Sequence, residues 1–141
     1  PVYQAGTLSG NPLATAAGIT TLQLADAAVY ARVDEASNAL AAAVTEALQA
    51  AGVPHQLQRA GSLFSVFWGV SDPVTDYAAA QRQDAGAYRG FFHAMLKAGI
   101  ALPPSAYEAW FLSAAHDSAV LERITAALPT AARAAAESRS S

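Results

Sequence analysis

Apolar positions recur at helical spacing in four stretches of this chain and alternate in one. Between Pro12 and Leu24, the residues Leu13, Ala16, Ala17, Thr20 and Leu24 fall on one helical face. After a short junction around Asp26, Val29, Val33, Ala36, Leu40, Val44, Ala47 and Leu48 recur at steps of three and four. That stripe stops at Gly52 with Pro54 just beyond, the signature of a helix C-terminus. A third helix is predicted over Asp84 to Lys97, with Tyr88, Phe91, Phe92, Met95 and Leu96 inward and Gly99 ending it. A last helix, capped by Asp117 or Ser118, would bury Leu121, Ile124, Leu128 and Ala131. Pro129 lies inside it and predicts a kink or a split near Leu128.

The alternating stretch is His55 to Arg59. It is followed by the β-branched and aromatic run Leu63 to Trp68, with Gly61-Ser62 between them. This reads as two antiparallel strands joined by a tight turn. Ser71-Asp72-Pro73 marks a loop, and a connector without a clear pattern follows through Gln83. Ile100 to Leu102 and Trp110 to Ser113 are short enough to be two further strands, separated by Pro103-Pro104. The expected class is α+β: a small, mostly antiparallel sheet with helices packed on one face, preceded by a long connecting helix.

Composition narrows the picture. A chain of 141 residues fits one domain with a sizeable core. A hydrophobic fraction of 53% against 13% charged argues against intrinsic disorder and hints at apolar surface reserved for a partner or another domain. Much of that apolar count is alanine, which buries little area, so the hint is light. The net charge of −3 with no basic run argues against nucleic acid as a partner. Without cysteine there is no disulfide framework, which fits a reducing compartment. No apolar run reaches the length of a membrane span, and no signal peptide opens the chain.

Candidate chemistry concentrates in Tyr3-Gln4-Ala5-Gly6-Thr7-Leu8-Ser9-Gly10-Asn11-Pro12-Leu13-Ala14. Gly6 and Gly10 let backbone approach a ligand, Thr7 and Ser9 bring hydroxyls, and Asn11-Pro12 reads as an N-cap with proline at the first helical position. A helix N-terminus of this kind suits a phosphate. An ordinary capped loop, with the Thr7 hydroxyl bonded to its own backbone, accounts for the same residues. Glu108 sits in an apolar neighbourhood after two prolines. Its carboxylate must be solvated, paired or protonated there, so an exposed loop residue and a ligand-facing one both remain open. Lys97, the only lysine, falls at a helix C-terminus where its charge complements the dipole. His55, His93 and His116 have no metal-ligand spacing and read as structural.

The opening segment resembles the one that follows the catalytic lysine in class III pyridoxal-phosphate-dependent aminotransferases. The likeness continues in Gly52-Val53-Pro54-His55, Gly61-Ser62-Leu63-Phe64, Phe91-Phe92-His93-Ala94-Met95-Leu96, and Leu102 through His116. Gly-Asn-Pro-Leu-Ala is general to the family. The Pro-Ser-x-x-Glu-Ala-x-Phe block points to its aminomutase branch, which moves an amino group within a small amino aldehyde and feeds tetrapyrrole synthesis.

The resemblance implies the small C-terminal domain of a fold-type I enzyme at residues 26–141, with residues 1–25 as the cofactor-phosphate loop and connecting helix that end the large domain. It implies that Gly6 and Thr7 bind the phosphate of pyridoxal 5'-phosphate in the neighbouring subunit of a homodimer. It implies that Glu108 faces the substrate's amino groups where many relatives carry an arginine for a substrate carboxylate. The lysine that anchors the coenzyme lies upstream in the family, so it would precede Pro1. No catalytic residue is then expected within this chain. The expected parent is a cytoplasmic enzyme, and the chain alone is expected to be a fragment without activity. A fragment of another class III aminotransferase and a stand-alone, non-catalytic association module are the alternatives.

Overall fold

The computed structural model describes residues 2–3 and 5–139 of the chain. Gln4 of the opening motif and the last two residues of the tail, Ser140 and Ser141, lie outside the described residues. Helix α1 spans Pro12–Leu24 and α2 spans Ala27–Ala50. Strands β1 (His55–Ala60) and β2 (Leu63–Trp68) follow. The chain then forms a single helical turn, α3 (Tyr77–Ala80), and two longer helices, α4 (Ala85–Lys97) and α5 (Ser118–Glu137).

Local sequence sets the boundaries. Asp26, Asp76, Asp84 and Asp117 cap α2, α3, α4 and α5, each accepting from backbone N–H groups of the first turn. Helices α2 and α4 end alike. After α2, Gly52 has φ +69, its N–H donates to Gln49 O, and the Val53 N–H donates to Leu48 O. After α4, Gly99 has φ +79, with Gly99 N–H on Leu96 O and Ile100 N–H on Met95 O. Both are Schellman closures, in which a left-handed glycine lets the chain turn back on its last carbonyls.

The hairpin has the expected register, His55 opposite Trp68 through Ala60 opposite Leu63, around the two-residue loop Gly61-Ser62. Gly61 carries φ +61 and no described non-glycine residue has positive φ, which fits a type II′ turn. Phe64, Val66 and Trp68 point to one face and are buried there. That face meets α2 and α4, while α5 packs across both helices behind it. Trp68 is fully buried, 4.9 Å from the Phe91 ring and 5.4 Å from the Tyr88 ring. Ala36, Leu40, Val44 and Leu48 complete the core from α2, and Leu128, Ala131, Ala132 and Ala135 from α5. Gly90 marks the closest approach of α4 to α5: a Cβ there would lie 2.4 Å from Ala134 O.

The structure corrects several expectations. The sheet has two strands, and the expected strands at 100–102 and 110–113 reduce to one bridge, Phe64 to Trp110. The Ile100 N–H is committed to closing α4, and Pro103 and Pro104 have no N–H to give a ladder. The Ser113 N–H is committed to His116 Nδ1. Helix α5 is not split at Pro129. The proline is exposed, and its missing hydrogen bond would fall on the partly exposed Thr125 turn, so burial of Leu128 and the alanines holds the helix across it. Leu96, expected inside, is 49% exposed, because the buried stripe of α4 runs through Ala87, Tyr88, Phe91 and Met95.

Helix α1 forms over the expected residues, yet none of them is buried. Leu13, Leu22 and Leu24 are each more than two-thirds exposed. No charged side chain occurs before Asp26.

Replacing Trp68 by alanine is expected to cost about 3–5 kcal/mol of stability, measured by urea unfolding. Gly90→Ala is expected to cost about 1–3 kcal/mol, because the added methyl meets backbone that cannot swing aside.

Candidate functional site

The Gly6–Gly10 segment is a compact turn on the surface. Ser9 N–H donates to Gly6 O at 3.0 Å and Asn11 N–H donates to Leu8 O at 3.1 Å. A Cβ at Gly6 would sit 2.3 Å from Ser9 Oγ, a contact that rotation of the serine hydroxyl relieves, so glycine here leaves room beside the turn without being required by it. Gly10, with φ +75, redirects the chain into α1. Asn11 Oδ1 accepts from the N–H groups of Leu13 at 3.0 Å and Ala14 at 3.3 Å. The free N–H groups that sequence reasoning offered to a phosphate at the start of α1 are therefore partly taken by Asn11. The Thr7 side chain is exposed, and no hydrogen bond among the described residues engages its hydroxyl. The self-bonded turn considered from sequence is thus not formed by Thr7. An exposed, unengaged hydroxyl next to a glycine is a fit partner for a phosphate oxygen.

Glu108 lies on the loop between Pro103 and Trp110, and it is exposed. It is held by a reciprocal pair: Ser105 N–H donates to Glu108 Oε1 at 3.2 Å and Glu108 N–H donates to Ser105 O at 3.2 Å. The Ser105 hydroxyl accepts from Tyr107 N–H at 3.2 Å, a local turn bond. The downstream end of the loop is pinned where Trp110 N–H donates to Phe64 O at 2.7 Å and its ring lies 5.3 Å from that of Phe64. The upstream end is pinned by the Tyr88 hydroxyl, which donates to the Pro103 carbonyl. Burial, with a smaller contribution from the Glu108 charge, pushes the Tyr88 phenol up to about 12. The sequence placed Tyr88 in the core but missed this role. The available signal was that a phenol buried by its ring needs a partner for its hydroxyl.

No hydrogen bond among the described residues joins the Gly6–Thr7 turn to the Glu108 loop. Lys97 occupies the last turn of α4, as its sequence position suggested, and is exposed. His55 Nδ1 donates to Val53 O at 2.9 Å, and His116 Nδ1 accepts from Ser113 N–H at 3.1 Å. No group of three or more potential metal ligands occurs among the described residues. None of the described helices is long and apolar enough to cross a membrane. Sequence reasoning also passed over Ser37, fully buried in α2, whose hydroxyl donates to Ser62 O at 2.6 Å and accepts from Arg59 at 3.2 Å, tying the hairpin turn to the helix.

No known family model matches the chain. It is 62% identical over 137 residues to a glutamate-1-semialdehyde 2,1-aminomutase of Cutibacterium acnes, a match that covers 97% of this chain and 31% of that protein. The chain thus spans about a third of the length of this curated relative. An omega-transaminase from Sphaerobacter thermophilus superposes with a TM-score of 0.72 at 26% identity, covering 95% of this chain and 30% of its own. A transaminase with bound PLP superposes with a TM-score of 0.74 at 21% identity over 99% of this chain and 31% of its own, a likeness of fold. The α+β arrangement described above matches the small C-terminal domain of fold-type I PLP transaminases.

The raised phenol of Tyr88 has a pH consequence. The neutral form is favoured in the folded state, so its contribution is fully present below the unfolded value near 10 and is lost as pH rises from about 10 toward about 12. Urea midpoints measured across that window should fall more steeply for the parent chain than for Tyr88→Phe.

Proposed function

We propose that this chain is the C-terminal part of a pyridoxal-phosphate-dependent glutamate-1-semialdehyde 2,1-aminomutase, which converts glutamate-1-semialdehyde to 5-aminolevulinate for tetrapyrrole synthesis. The observation that carries this reading is the 62% identity across 97% of the chain. Residues 1–25 would close the large domain, and residues 26–141 would form the small one. An uncharged helix with no buried residue supports that division, since Leu13, Ile19 and Leu22 then have a larger body to cover them. In a homodimer, the Gly6–Thr7 turn would reach the coenzyme phosphate of the neighbouring subunit. The absence of cysteine is compatible with a cytoplasmic enzyme.

When bound, the coenzyme supplies an electron sink for bond changes at an amino-bearing carbon. This chain's share is placement. The Thr7 hydroxyl would donate to a dianionic phosphate oxygen, while the Gly6 backbone gives the anion room to approach. The Glu108 carboxylate, held in its loop by Ser105, would accept hydrogen bonds from the substrate's amino groups and disfavour a carboxylate at the same spot. The lysine that anchors the coenzyme would come from the upstream part of the polypeptide, since Lys97 sits at the end of α4. The 141 residues alone would therefore be inactive.

A second reading, another class III aminotransferase, is favoured by the likeness to the omega-transaminase. The complete polypeptide, loaded with coenzyme, should form 5-aminolevulinate from glutamate-1-semialdehyde without an added amino donor. A requirement for an external donor would favour the second reading, and turnover by the isolated chain would contradict the division of labour.

Thr7→Ala should weaken coenzyme retention roughly 10- to 100-fold, the equivalent of a lost charge-assisted bond of about 1.5–3 kcal/mol. Its melting temperature without coenzyme should be unchanged, because the side chain is exposed. Glu108→Gln should raise KM for the amino aldehyde roughly tenfold at unchanged stability, read by steady-state kinetics beside a thermal melt.

A further inference from the structure

The loop that carries Glu108 has few ties of its own. Pro103 and Pro104 contribute no N–H, so the backbone entering the loop can be held only through its carbonyls. One of those, Pro103 O, accepts from the Tyr88 hydroxyl. Tyr88 is itself rigid: it is 4% exposed, with its ring 5.4 Å from Trp68 and 6.1 Å from Phe92, on the face of α4 that packs against the hairpin. The far end of the loop is fixed to the hairpin through Trp110 and Phe64. The carboxylate lies between these two anchors and is bonded across the loop to Ser105.

We propose that Tyr88 is a positioning residue for Glu108, its buried hydroxyl fixing through the Pro103 carbonyl the place from which the loop presents that carboxylate to the substrate. This rests on the reading that Glu108 faces the substrate. Burial raises the phenol's pKa to about 12, so it stays a donor to Pro103 at any working pH. Part of that shift comes from the charge of Glu108, so the carboxylate is close enough for its field to reach the hydroxyl. Trp110 alone would leave the proline end of the loop held only by packing.

Tyr88→Phe keeps the ring and removes only the donor, which makes it the informative variant. In the complete, coenzyme-loaded polypeptide it should raise KM for the amino aldehyde about three- to tenfold with kcat changed less than about twofold. Amide hydrogen exchange across residues 105–109 should quicken at least about fivefold, while exchange in the core of α4 stays the same. In a Glu108→Gln background, Tyr88→Phe should add no further change in KM.

Unchanged KM and unchanged exchange in Tyr88→Phe, alongside a raised KM in Glu108→Gln, would overturn the Tyr88 assignment alone. Equal KM increases in both backgrounds would overturn it as well, by showing that Tyr88 does not act through Glu108. An unchanged KM in Glu108→Gln would remove the substrate-facing reading of Glu108 and this proposal with it.

Discussion

The contact between Trp68 and the aromatic face of α4 is what the rest of the structure depends on. A two-stranded hairpin is marginal in water on its own, and this one survives because its last residue is fully buried against Phe91 and Tyr88. The same three rings decide where α4 lies. That in turn sets how closely α5 can approach at Gly90 and where the Tyr88 hydroxyl emerges to meet Pro103. The core and the Glu108 loop are therefore two ends of one aromatic arrangement.

The helices and the hairpin were legible because each is encoded locally. Apolar spacing, an aspartate cap at the start and a glycine at the end agree for α2 and α4, and Gly61-Ser62 fixes the register of the hairpin. What could not be read was decided by partners distant in sequence. Ile100 and Ser113 looked like strand residues until their N–H groups proved to be committed to Met95 O and His116 Nδ1. Pro129 argued for a break in α5, and burial on either side of it outweighed the lost hydrogen bond. Helix α3 was hidden in a connector whose one cue was Asp76, and Gln58 secures the preceding loop by bonding both polar groups of Val74.

The candidate site was legible unevenly. The cap at Asn11 follows from residue type, and the structure reproduces it. Glu108 stood out for its surroundings, but its tie to Ser105 needs coordinates. Tyr88 was invisible as a polar residue, because a tyrosine on a helix stripe reads as hydrophobic until its hydroxyl is traced. No spacing rule links a residue on α4 to a carbonyl fifteen positions later.

The matching closures of α2 and α4 restrict how this chain can drift. At Gly52 and Gly99 the backbone sits in a left-handed well that β-carbons resist, and at Gly99 an added carbon would also crowd the Arg123 guanidinium. Asparagine, a side chain that visits this well more readily than most, lies beyond a single-base change from any glycine codon. Of the residues one base away from glycine, only aspartate visits this well with any ease, so ordinary point mutation offers these two corners mostly poor substitutes.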